Sequence, residues 1–475
     1  MKADIIIIGA GIVGCATARF LSQYKLKIIV LERGADVAIG ATKANSGILH
    51  SGYDCEPNTH KAALNVKGLS MYHKLKKELD IPMRICGSMV VSFSESGEKS
   101  PELIRLYERG ISNGVTDMEL ISGEVARKLE PNLHLSVTGA LVSKNAGIIS
   151  PYEAAIAFAE NAAENGVEFF LNTNVTHINF ADKSFTIHTS TGYFSSPVVI
   201  NAAGLESGNI HNMTHVEKES IIPQRGEYYL LDNTQRNLVS RTIFQLPTNL
   251  GKGVLITPTL DHNILLGPTG DFIDEGNSTE TTLKGLAETL EKASLSLNKI
   301  PIRHRITNFA GVRAKHHSRD FVIEESTSGF FNAIGIDSPG LTAAPAIAKM
   351  LGEMVLSRLQ PKENPKFKSK RVGIKRFKEL SPTLQAEYIA QNPAYGRIVC
   401  RCETITEGEI IESIRRPVGA KNLDAVKRRS RAQMGRCQGG FCTMRLMEIL
   451  SAELGISELE ITKSGAGSEI VHGSF

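Results

Sequence analysis

The chain has 475 residues, room for about three domains and a large core. Its formal net charge of +4 is small, and no basic face interleaved with aromatic residues is evident, so we expect no binding of nucleic acid. No apolar run approaches the ~18 residues needed to span a bilayer. The first strand begins at Asp4, which leaves no room for a signal peptide, and we expect a cytoplasmic protein with no membrane span of its own.

Residues 3–35 have the pattern of a βαβ unit that binds a dinucleotide. A strand-like run leads into GAGIVG, whose glycines are Gly9, Gly11 and Gly14, and a second apolar run after the helix ends at Glu32. In such a unit the glycines let the backbone approach a pyrophosphate, the helix N-terminus stabilises the anion, and the acidic residue binds ribose hydroxyls. A glycine-rich turn without a ligand is the alternative, and the strand–helix–strand context disfavours it.

The rest of the chain predicts alternating layers. In chain order we expect an irregular small-residue loop over 40–54, a helix over 60–79, short strands and helices over 85–140, an alanine-rich helix over 151–165, strands over 167–171, 175–180, 184–188 and 197–204, an antiparallel sheet over 221–270, and a helix over 343–356. Ser150 and Gly166 are placed to cap and to end the alanine-rich helix.

Residues 357–398 differ in composition from what precedes them. They contain ten Lys and Arg against three Asp and Glu, and four prolines interrupt any long periodic run. We interpret the segment as a basic linker, partly ordered along the catalytic body. Its charges form a solvated face or a docking site for an acidic partner subunit.

Four of the seven cysteines are clustered near the C-terminus. Cys400 and Cys402 form a CxC pair, and 34 residues later Cys437 and Cys442 form a second pair. Four thiolates in two close pairs suit an iron–sulfur cluster or a structural zinc, although CxC is less usual for zinc. An empty or redox-active set of thiols is the third possibility. In a reducing compartment such a cluster is more often a metal site than a disulfide framework.

Four arginines surround the second cysteine pair, and they are Arg428, Arg429, Arg431 and Arg436. Positive charge near an iron–sulfur cluster raises its potential. The same residues equally fit a solvated helix face.

Three further segments resemble motifs of the D-amino-acid-oxidase-like FAD oxidoreductases. They read TKANSGILH at 42–50, FAGVR at 309–313 and GIDSPGLT at 335–342. Within that superfamily the chain most resembles FAD-dependent glycerol-3-phosphate dehydrogenases and oxidases, above all the large-subunit type of the anaerobic enzymes. The resemblance covers nearly the whole chain. The L-2-hydroxyglutarate dehydrogenases share the first motif.

The resemblance implies FAD as the dinucleotide. Gly9, Gly11 and Gly14 would hold the pyrophosphate, Glu32 the adenosine ribose, and Arg33 would lie beside the adenine. The remaining residues implied as cofactor contacts are Thr42, Lys43, Ser46 and Gly47 along the flavin, Val175 and Gly204 near the adenine, and Gly335, Gly340, Leu341 and Thr342 around the flavin C2 carbonyl. A helix N-terminus at the last group would stabilise charge on the reduced ring.

His50 is the candidate general base for oxidation of an alcohol, because histidine titrates in the range that removing a hydroxyl proton requires. Packing against the flavin, or anchoring it covalently, is the alternative. Arg313 is the candidate for holding the anionic group of the substrate, since guanidinium pairs with phosphate or carboxylate through two parallel hydrogen bonds. Lys252 and Arg225 are candidate further phosphate contacts, and Ser338 is a candidate contact to substrate or ring. A surface salt bridge is the alternative for each basic residue.

The C-terminal module resembles the bacterioferritin-associated-ferredoxin-like domain, which binds a [2Fe–2S] cluster. Its second cysteine pair has two residues more than the usual CxxC spacing. The resemblance assigns Cys400, Cys402, Cys437 and Cys442 as the metal ligands.

Together these predictions define an α/β and α+β fold with a small helical cysteine-rich module at its C-terminus. A Rossmann-type FAD-binding domain (about 1–80, 141–220 and 301–356) is interleaved with an antiparallel-sheet substrate domain (about 81–140 and 221–300). The body over 1–356 is followed by the linker over 357–398 and the [2Fe–2S] module over 399–475.

The resemblance implies oxidation of sn-glycerol 3-phosphate to dihydroxyacetone phosphate, with hydride passing from C2 to flavin N5. Because a [2Fe–2S] cluster accepts one electron at a time, the module would pass the electron pair singly to a partner protein or a second flavoprotein subunit. Two alternatives stay open. The substrate is a 2-hydroxy acid such as L-2-hydroxyglutarate, or the module is only a structural or docking element.

Overall fold

The structure is a computed structural model that describes residues 1–246, 253–274 and 278–473. Its strands are β1 (Ile5–Ile8), β2 (Ile28–Leu31), β3 (Ile48–Leu49), β4 (Met83–Ile85), β5 (Ser88–Ser92), β6 (Met118–Ser122), β7 (Gly139–Ser143), β8 (Gly147–Ile149), β9 (Glu168–Phe170), β10 (Val175–Ala181), β11 (Ser184–Thr189), β12 (Gly192–Ser196), β13 (Val199–Asn201), β14 (Ile221–Leu231), β15 (Thr242–Gln245), β16 (Ile256–Pro258), β17 (Ile264–Leu266), β18 (Asp271–Phe272), β19 (Arg305–His316), β20 (Val322–Thr327), β21 (Phe330–Ile334), β22 (Ile398–Cys400) and β23 (Ile405–Thr406). Its α-helices are α1 (Ile12–Leu21), α2 (His60–Leu79), α3 (Pro101–Ser112), α4 (Gly123–Leu129), α5 (Pro151–Glu164), α6 (Ser207–Asn212), α7 (Leu283–Ser296), α8 (Gly340–Leu359), α9 (Pro382–Gln391), α10 (Glu407–Arg415), α11 (Leu423–Ser430) and α12 (Thr443–Leu454).

A six-stranded sheet is built around the N-terminal βαβ unit. Its order is β20-β21-β13-β1-β2-β9, and its neighbours are parallel except for β20 and β21. All four residues of β1 and of β2 are buried, because helices α1, α5 and α8 cover one face and the β10–β12 meander covers the other. The strand order reverses at β1, and open α/β sheets bind ligands at the carboxyl ends of the strands at such a point.

A second, nine-stranded sheet forms the other layer of the body. Its main path is β18-β14-β17-β16-β15-β5-β7-β6, and β19 pairs with β14 along nearly its whole length. Its strands come from two separate stretches of chain, and segments of the first sheet lie between them. The interleaved arrangement of a Rossmann-type domain and an antiparallel-sheet domain is therefore confirmed.

The C-terminal module has its own small core. A short β22–β23 ladder and helices α10, α11 and α12 surround buried residues that include Cys400, Ile410 and Leu446. The prediction of a small helical module is confirmed.

Some local predictions need correction. Helix α8 begins at Gly340, three residues before the predicted start, because residues 340–342 already form its first turn. The loop over 40–54 contains a 3-10 turn, Ala41–Lys43, and the short strand β3. Ser150 occupies the N-cap of α5, but its side chain makes no capping hydrogen bond. Strand β15, within the predicted antiparallel sheet, pairs with β5 in parallel.

The segment 357–398 runs along the body. Asn161 of α5 donates to the Lys368 carbonyl at 2.9 Å, and Arg371 Nε donates to a Glu160 oxygen at 2.6 Å. Among the helices in the described ranges, none is both long and apolar enough to cross a membrane.

Candidate active site

The turn between β1 and α1 lies at the carboxyl edge of the six-stranded sheet. Gly9 has φ +103°, and a Cβ there would lie 2.5 Å from the Ala202 carbonyl oxygen. A Cβ on Gly14 would clash with the Gly9 carbonyl oxygen, and Gly11 is the N-cap of α1. The turn therefore requires glycine, and its backbone can closely approach a phosphate at the N-terminus of α1.

Glu32 follows β2 directly and faces this turn. Its carboxylate accepts hydrogen bonds from the N–H groups of Ala10 and Gly34, both at 2.8 Å. Burial raises the pKa of Glu32, although these two hydrogen bonds oppose the shift. A carboxylate has about four lone-pair positions, so further acceptor capacity remains for ribose hydroxyls.

The adenine-side residues of the prediction lie near Glu32. Arg33 forms an ion pair with Glu206 at 3.0 Å, and Glu206 belongs to the 3-10 turn that starts at Gly204. Gly204 follows β13, whose carboxyl end lies beside that of β1. Val175 is buried at the start of β10 and shares a core with Leu31. The structure thus brings these predicted residues to one edge of the sheet.

The loop over 40–50 is held against the dinucleotide turn and the second sheet. Thr42 Oγ1 accepts the Ile12 N–H of α1 at 3.0 Å, and Ser46 Oγ lies 3.3 Å from the Tyr228 hydroxyl of β14. A Cβ on Gly311 of β19 would clash with the Ala44 carbonyl oxygen. Close approach of β19 to this loop therefore depends on glycine at 311.

His50 is positioned by the first turn of α8. Its backbone N–H donates to Thr342 Oγ1 at 3.0 Å, and Asn65 of α2 donates to its carbonyl at 3.2 Å. Its ring lies 5.8 Å from the Phe244 ring, centroid to centroid. His50 and Ser338 line one small pocket together, so the structure brings these two predicted residues side by side.

The turn over 335–342 is fixed from two sides. Lys61 of α2 pairs with Asp337 at 2.6 Å, and the Tyr72 hydroxyl donates to the Leu341 carbonyl at 3.0 Å. Gly335 has φ +70° and packs against His316, where a Cβ would lie 2.5 Å from the His316 Cβ. Gly340 begins α8, so the helix N-terminus points its N–H groups toward this turn.

A cavity of about 900 Å³ lies between the body and the C-terminal module. Its volume is near the upper end of the roughly 300–1,000 Å³ typical of cofactor sites, and suits an extended ligand such as FAD. The predicted cofactor residues that line it are Arg33, Lys43, Ser46 and Gly47. Burial lowers the pKa of Lys43, and nearby cations lower it further.

The predicted anion-binding residues are not all brought together. Gln224 of β14 lies opposite Arg313 of β19, and Arg225 lies opposite Val312. Residues that are directly paired across two strands lie on the same face of the sheet, and successive residues of one strand lie on alternate faces. Arg313 and Arg225 therefore project from opposite faces of the β14–β19 pair. Lys252 lies outside the described residues.

Arg313 projects on the face that approaches the loop over 40–50, the flavin loop, which is named for its predicted course along the flavin. It shares this face with Gly311 and Tyr228, which contact Ala44 and Ser46. Its guanidinium donates to Gln224 Oε1 at 3.2 Å and to the Thr269 carbonyl at 3.4 Å. These contacts leave N–H donors for an anion, since the group has five.

Arg225 is occupied on the other face. It pairs with the buried Glu227 at 3.4 Å and donates to Ser278 Oγ at 3.2 Å. The geometry therefore does not bring Arg225 to Arg313, contrary to the expectation that both contact one phosphate. The physical reason is the one-residue offset between the two positions in the ladder.

The four C-terminal cysteines are arranged as two pairs. Cys442 is the largest influence on the pKa of Cys400, and Cys437 is the largest influence on the pKa of Cys402. The hydrogen bond from Cys442 lowers the pKa of the Cys400 thiol to about 6, although burial opposes the shift. Cys400 and Cys442 are buried, whereas Cys402 is exposed.

The sulfur arrangement bears on the choice of metal. A compact metal site brings three or more ligand atoms within 4.8 Å of one another. In the described part of the chain, only Glu219, His316 and His317 meet this condition, and the four cysteines do not. The four sulfurs therefore do not form the compact tetrahedron that zinc needs with Zn–S bonds of about 2.3 Å. Two separate thiol pairs fit a two-iron cluster, which takes four thiolates.

Buried ion pairs fix the module to the body. Asp36, in the loop after β2, contacts Arg428 at 2.6 Å and Arg429 at 2.7 Å. Asp261, between β16 and β17, contacts Arg431 at 2.8 Å. Burial favours the neutral acid, but the two arginines outweigh it and hold the pKa of Asp36 below its ordinary value.

Replacing Asp36 by asparagine is expected to lower the free energy of unfolding by about 3–5 kcal/mol, because two buried guanidinium groups lose their shared carboxylate. The contribution of Asp36 is present at neutral pH and is lost as pH falls through its lowered pKa. Denaturant unfolding of the full chain measures the effect. Asp182→Asn, at an exposed turn, is the control and is expected to change little. Equal stability of the Asp36 and Asp182 variants would contradict the assigned role.

Sequence reasoning missed the contribution of the module to the cavity. Lys427, Arg428, Arg431, Met434 and Gln438 line it together with the flavin loop. The basic residues near the cysteines were the only signal, and their carboxylate partners lie far away in the sequence. Arg428, Arg429 and Arg431 are buried, so the solvated-face interpretation is wrong for them, whereas Arg436 is exposed.

Comparisons with known proteins agree with this geometry. A family model described as FAD dependent oxidoreductase matches residues 4–354, and one described as BFD-like [2Fe-2S] binding domain matches 398–452. A glycerol 3-phosphate dehydrogenase of Caloramator mitchellensis is 46% identical over 99% of this chain and 98% of its own length. A glycerol 3-phosphate oxidase of Mycoplasma genitalium is 31% identical over 76% of this chain and 96% of its own length.

A solved structure is also similar. The dithionite-reduced L-alpha-glycerophosphate oxidase of Mycoplasma pneumoniae with FAD bound has a TM-score of 0.74 and 29% identity, and covers 78% of this chain and 98% of its own. The chain belongs to the FAD-dependent oxidoreductase family and carries a BFD-like [2Fe–2S] module. Its cofactors are FAD and a [2Fe–2S] cluster.

Proposed function

We propose that this chain oxidises sn-glycerol 3-phosphate to dihydroxyacetone phosphate. The full-length similarity to a named glycerol 3-phosphate dehydrogenase supports the substrate. The geometric support for the proposal comes from Arg313. Its side chain projects toward the flavin loop and has N–H donors left to bind a phosphate. Ser338 lines a small pocket together with His50, which supports a polar contact between Ser338 and the substrate.

FAD, when bound, supplies the hydride acceptor. The side chains of the protein supply the remaining requirements. Thr342 and Asn65 fix the backbone of His50, and Phe244 packs beside its ring, so the imidazole is held at one place. We assign it the removal of the proton from the C2 hydroxyl as the C2 hydride departs. A general base held in a fixed position contributes about 10²–10⁴-fold to the rate of such a step.

The position of one loop of the module supports the proposed route by which electrons leave the flavin. Residues Met434 and Gln438 line the cavity, and Cys437, a predicted cluster ligand, lies between them. The loop thus joins the FAD cavity directly to the cluster site. Cys402 lies at the surface, and so does Phe441, the residue before Cys442, which is 89% exposed. We infer that electrons leave singly there to an electron-accepting partner or a second flavoprotein subunit.

We place the reaction in the cytoplasm. A reducing compartment suits a cluster bound by cysteine thiolates, such as the one that the BFD-like module binds.

Anaerobic stopped-flow measurement of flavin bleaching tests the substrate. Glycerol 3-phosphate and L-2-hydroxyglutarate are mixed separately with the oxidised protein, and the loss of visible flavin absorbance is followed. We expect fast bleaching by the phosphate and little by the hydroxy acid. The reverse pattern would replace glycerol 3-phosphate by a 2-hydroxy acid as substrate and leave the fold and cofactors unchanged.

A further inference from the structure

We propose that the C-terminal module completes the FAD site, with Arg428 and Lys427 of α11 contacting the phosphates of the cofactor. This inference concerns cofactor binding, and it does not depend on which alcohol is oxidised. It assigns the module a function besides electron transfer.

The first support is the shared cavity. Lys427 and Arg428 line it together with Lys43 and Ser46 of the loop predicted to run along the FAD. Helix α11 is therefore a wall of the same space that the body offers to the cofactor.

The second support is the short path from α11 to the dinucleotide turn. The Ala38 N–H donates to the Ala10 carbonyl, inside the turn, at 2.9 Å. Two residues earlier, Asp36 holds Arg428 at 2.6 Å. The loop that carries Arg428's partner thus packs directly on the turn expected to hold the pyrophosphate.

The third support is an unpaired buried donor. Arg428 is 6% exposed, and its Nη2 donates to Asp36 at 2.6 Å. Its Nε is buried and has no hydrogen-bond partner within the residues that the structure describes. A buried guanidinium donor without an acceptor is unfavourable, and it indicates a missing acceptor such as a phosphate oxygen.

The fourth support is an excess of positive charge. Five basic residues line the cavity against three acidic ones: Arg33, Lys43, Lys427, Arg428 and Arg431 against Asp261, Glu280 and Asp424. Asp36 is shared between Arg428 and Arg429. Burial lowers the pKa of both lysines, and neighbouring cations lower it further although Asp424 opposes them. Such a site favours a ligand with two negative charges in close proximity.

Binding of FAD to the apoprotein tests the proposal. The full chain is titrated without substrate, and the change in flavin fluorescence gives the dissociation constant. Arg428→Gln and Lys427→Gln are each expected to weaken FAD binding by about 10–100-fold, since a charge-assisted hydrogen bond is removed. Arg415→Gln, which breaks an exposed pair with Glu453 elsewhere on the module, is the matched control and is expected to bind FAD like the unchanged protein.

Riboflavin has no phosphate, so its binding distinguishes direct contact with the cofactor phosphates from indirect support of the cavity. If Arg428 and Lys427 contact phosphates, the variants lose affinity for FAD and keep their affinity for riboflavin. Equal loss for both ligands would show that the residues only support the cavity, and no loss for either would show that they face no ligand. A raised KM for glycerol 3-phosphate with unchanged FAD affinity would assign the cations to the substrate. Each of these three results overturns the proposal.

Lys427→Gln keeps the test decisive if Arg428→Gln fails to fold. Lys427 has no ion pair with the described part of the body, so its replacement does not loosen the attachment of the module.

Discussion

Replacing His50 by asparagine is expected to slow flavin reduction by substrate about 10²–10⁴-fold, since the C2 hydroxyl proton then has no base to accept it. Asparagine keeps a polar side chain of similar reach, and the backbone contacts to Thr342 and Asn65 do not involve the replaced ring. Anaerobic stopped-flow reduction measures the rate of the step directly, without the electron acceptor.

The control for this variant is His73→Asn, on the exposed side of α2, which is expected to reduce normally. An unchanged rate in the His50 variant would reassign His50 to packing against the flavin. Flavin that stays with the denatured unchanged protein, and is released from the His50 variant, would instead identify a covalent anchor.

Replacing Cys402 by serine is expected to abolish electron transfer to the acceptor and to leave flavin reduction by substrate nearly unchanged. Cys402 is the exposed member of the cysteine set, and its loss removes a predicted cluster ligand without opening the core of the module. Steady-state transfer to an artificial one-electron acceptor and single-turnover flavin reduction are measured on the same preparation.

Cys86→Ser is the matched control, because Cys86 lies in the body, away from the module, and is expected to leave both rates unchanged. Loss of both rates in the Cys402 variant would mean that the module supports the fold. Retention of both would mean that electrons leave the flavin without passing through the cysteine site.

Local pattern was sufficient to predict the elements that depend on nearby residues. Helix α2 has the predicted bounds, His60–Leu79, because its apolar spacing and a Thr59 cap both act within a few residues. The βαβ unit around Gly9 was predictable for the same reason, since its glycines, helix and Glu32 lie within one short stretch.

Side-chain direction was not predictable from spacing alone. Arg225 and Arg313 both looked suited to one anion, yet the pairing of β14 with β19 turns them to opposite faces. Strand register decides which residues share a face, and it is set by the whole sheet rather than by either segment.

The partners of the module's arginines were also beyond the reach of the sequence. Arg428 and Asp36 are separated by 392 positions, and Arg431 and Asp261 by 170. The sequence of an arginine-rich helix is the same whether the helix faces water or pairs with a carboxylate that is distant in the sequence. Only the docked arrangement distinguishes the two.

The buried ion pairs also constrain how a protein of this kind can gain or lose its tail, meaning the linker and the C-terminal module, during evolution. Asp36, Glu160 and Asp261 are acidic residues of the body whose cations come from the linker and the module. A chain cut after α8 would keep three carboxylates without their cations, and one of them, Asp261, lines the cavity proposed to hold the anionic cofactor. A working short form therefore needs compensating substitutions at these positions, so body and tail are expected to change together across lineages rather than to be exchanged as independent parts.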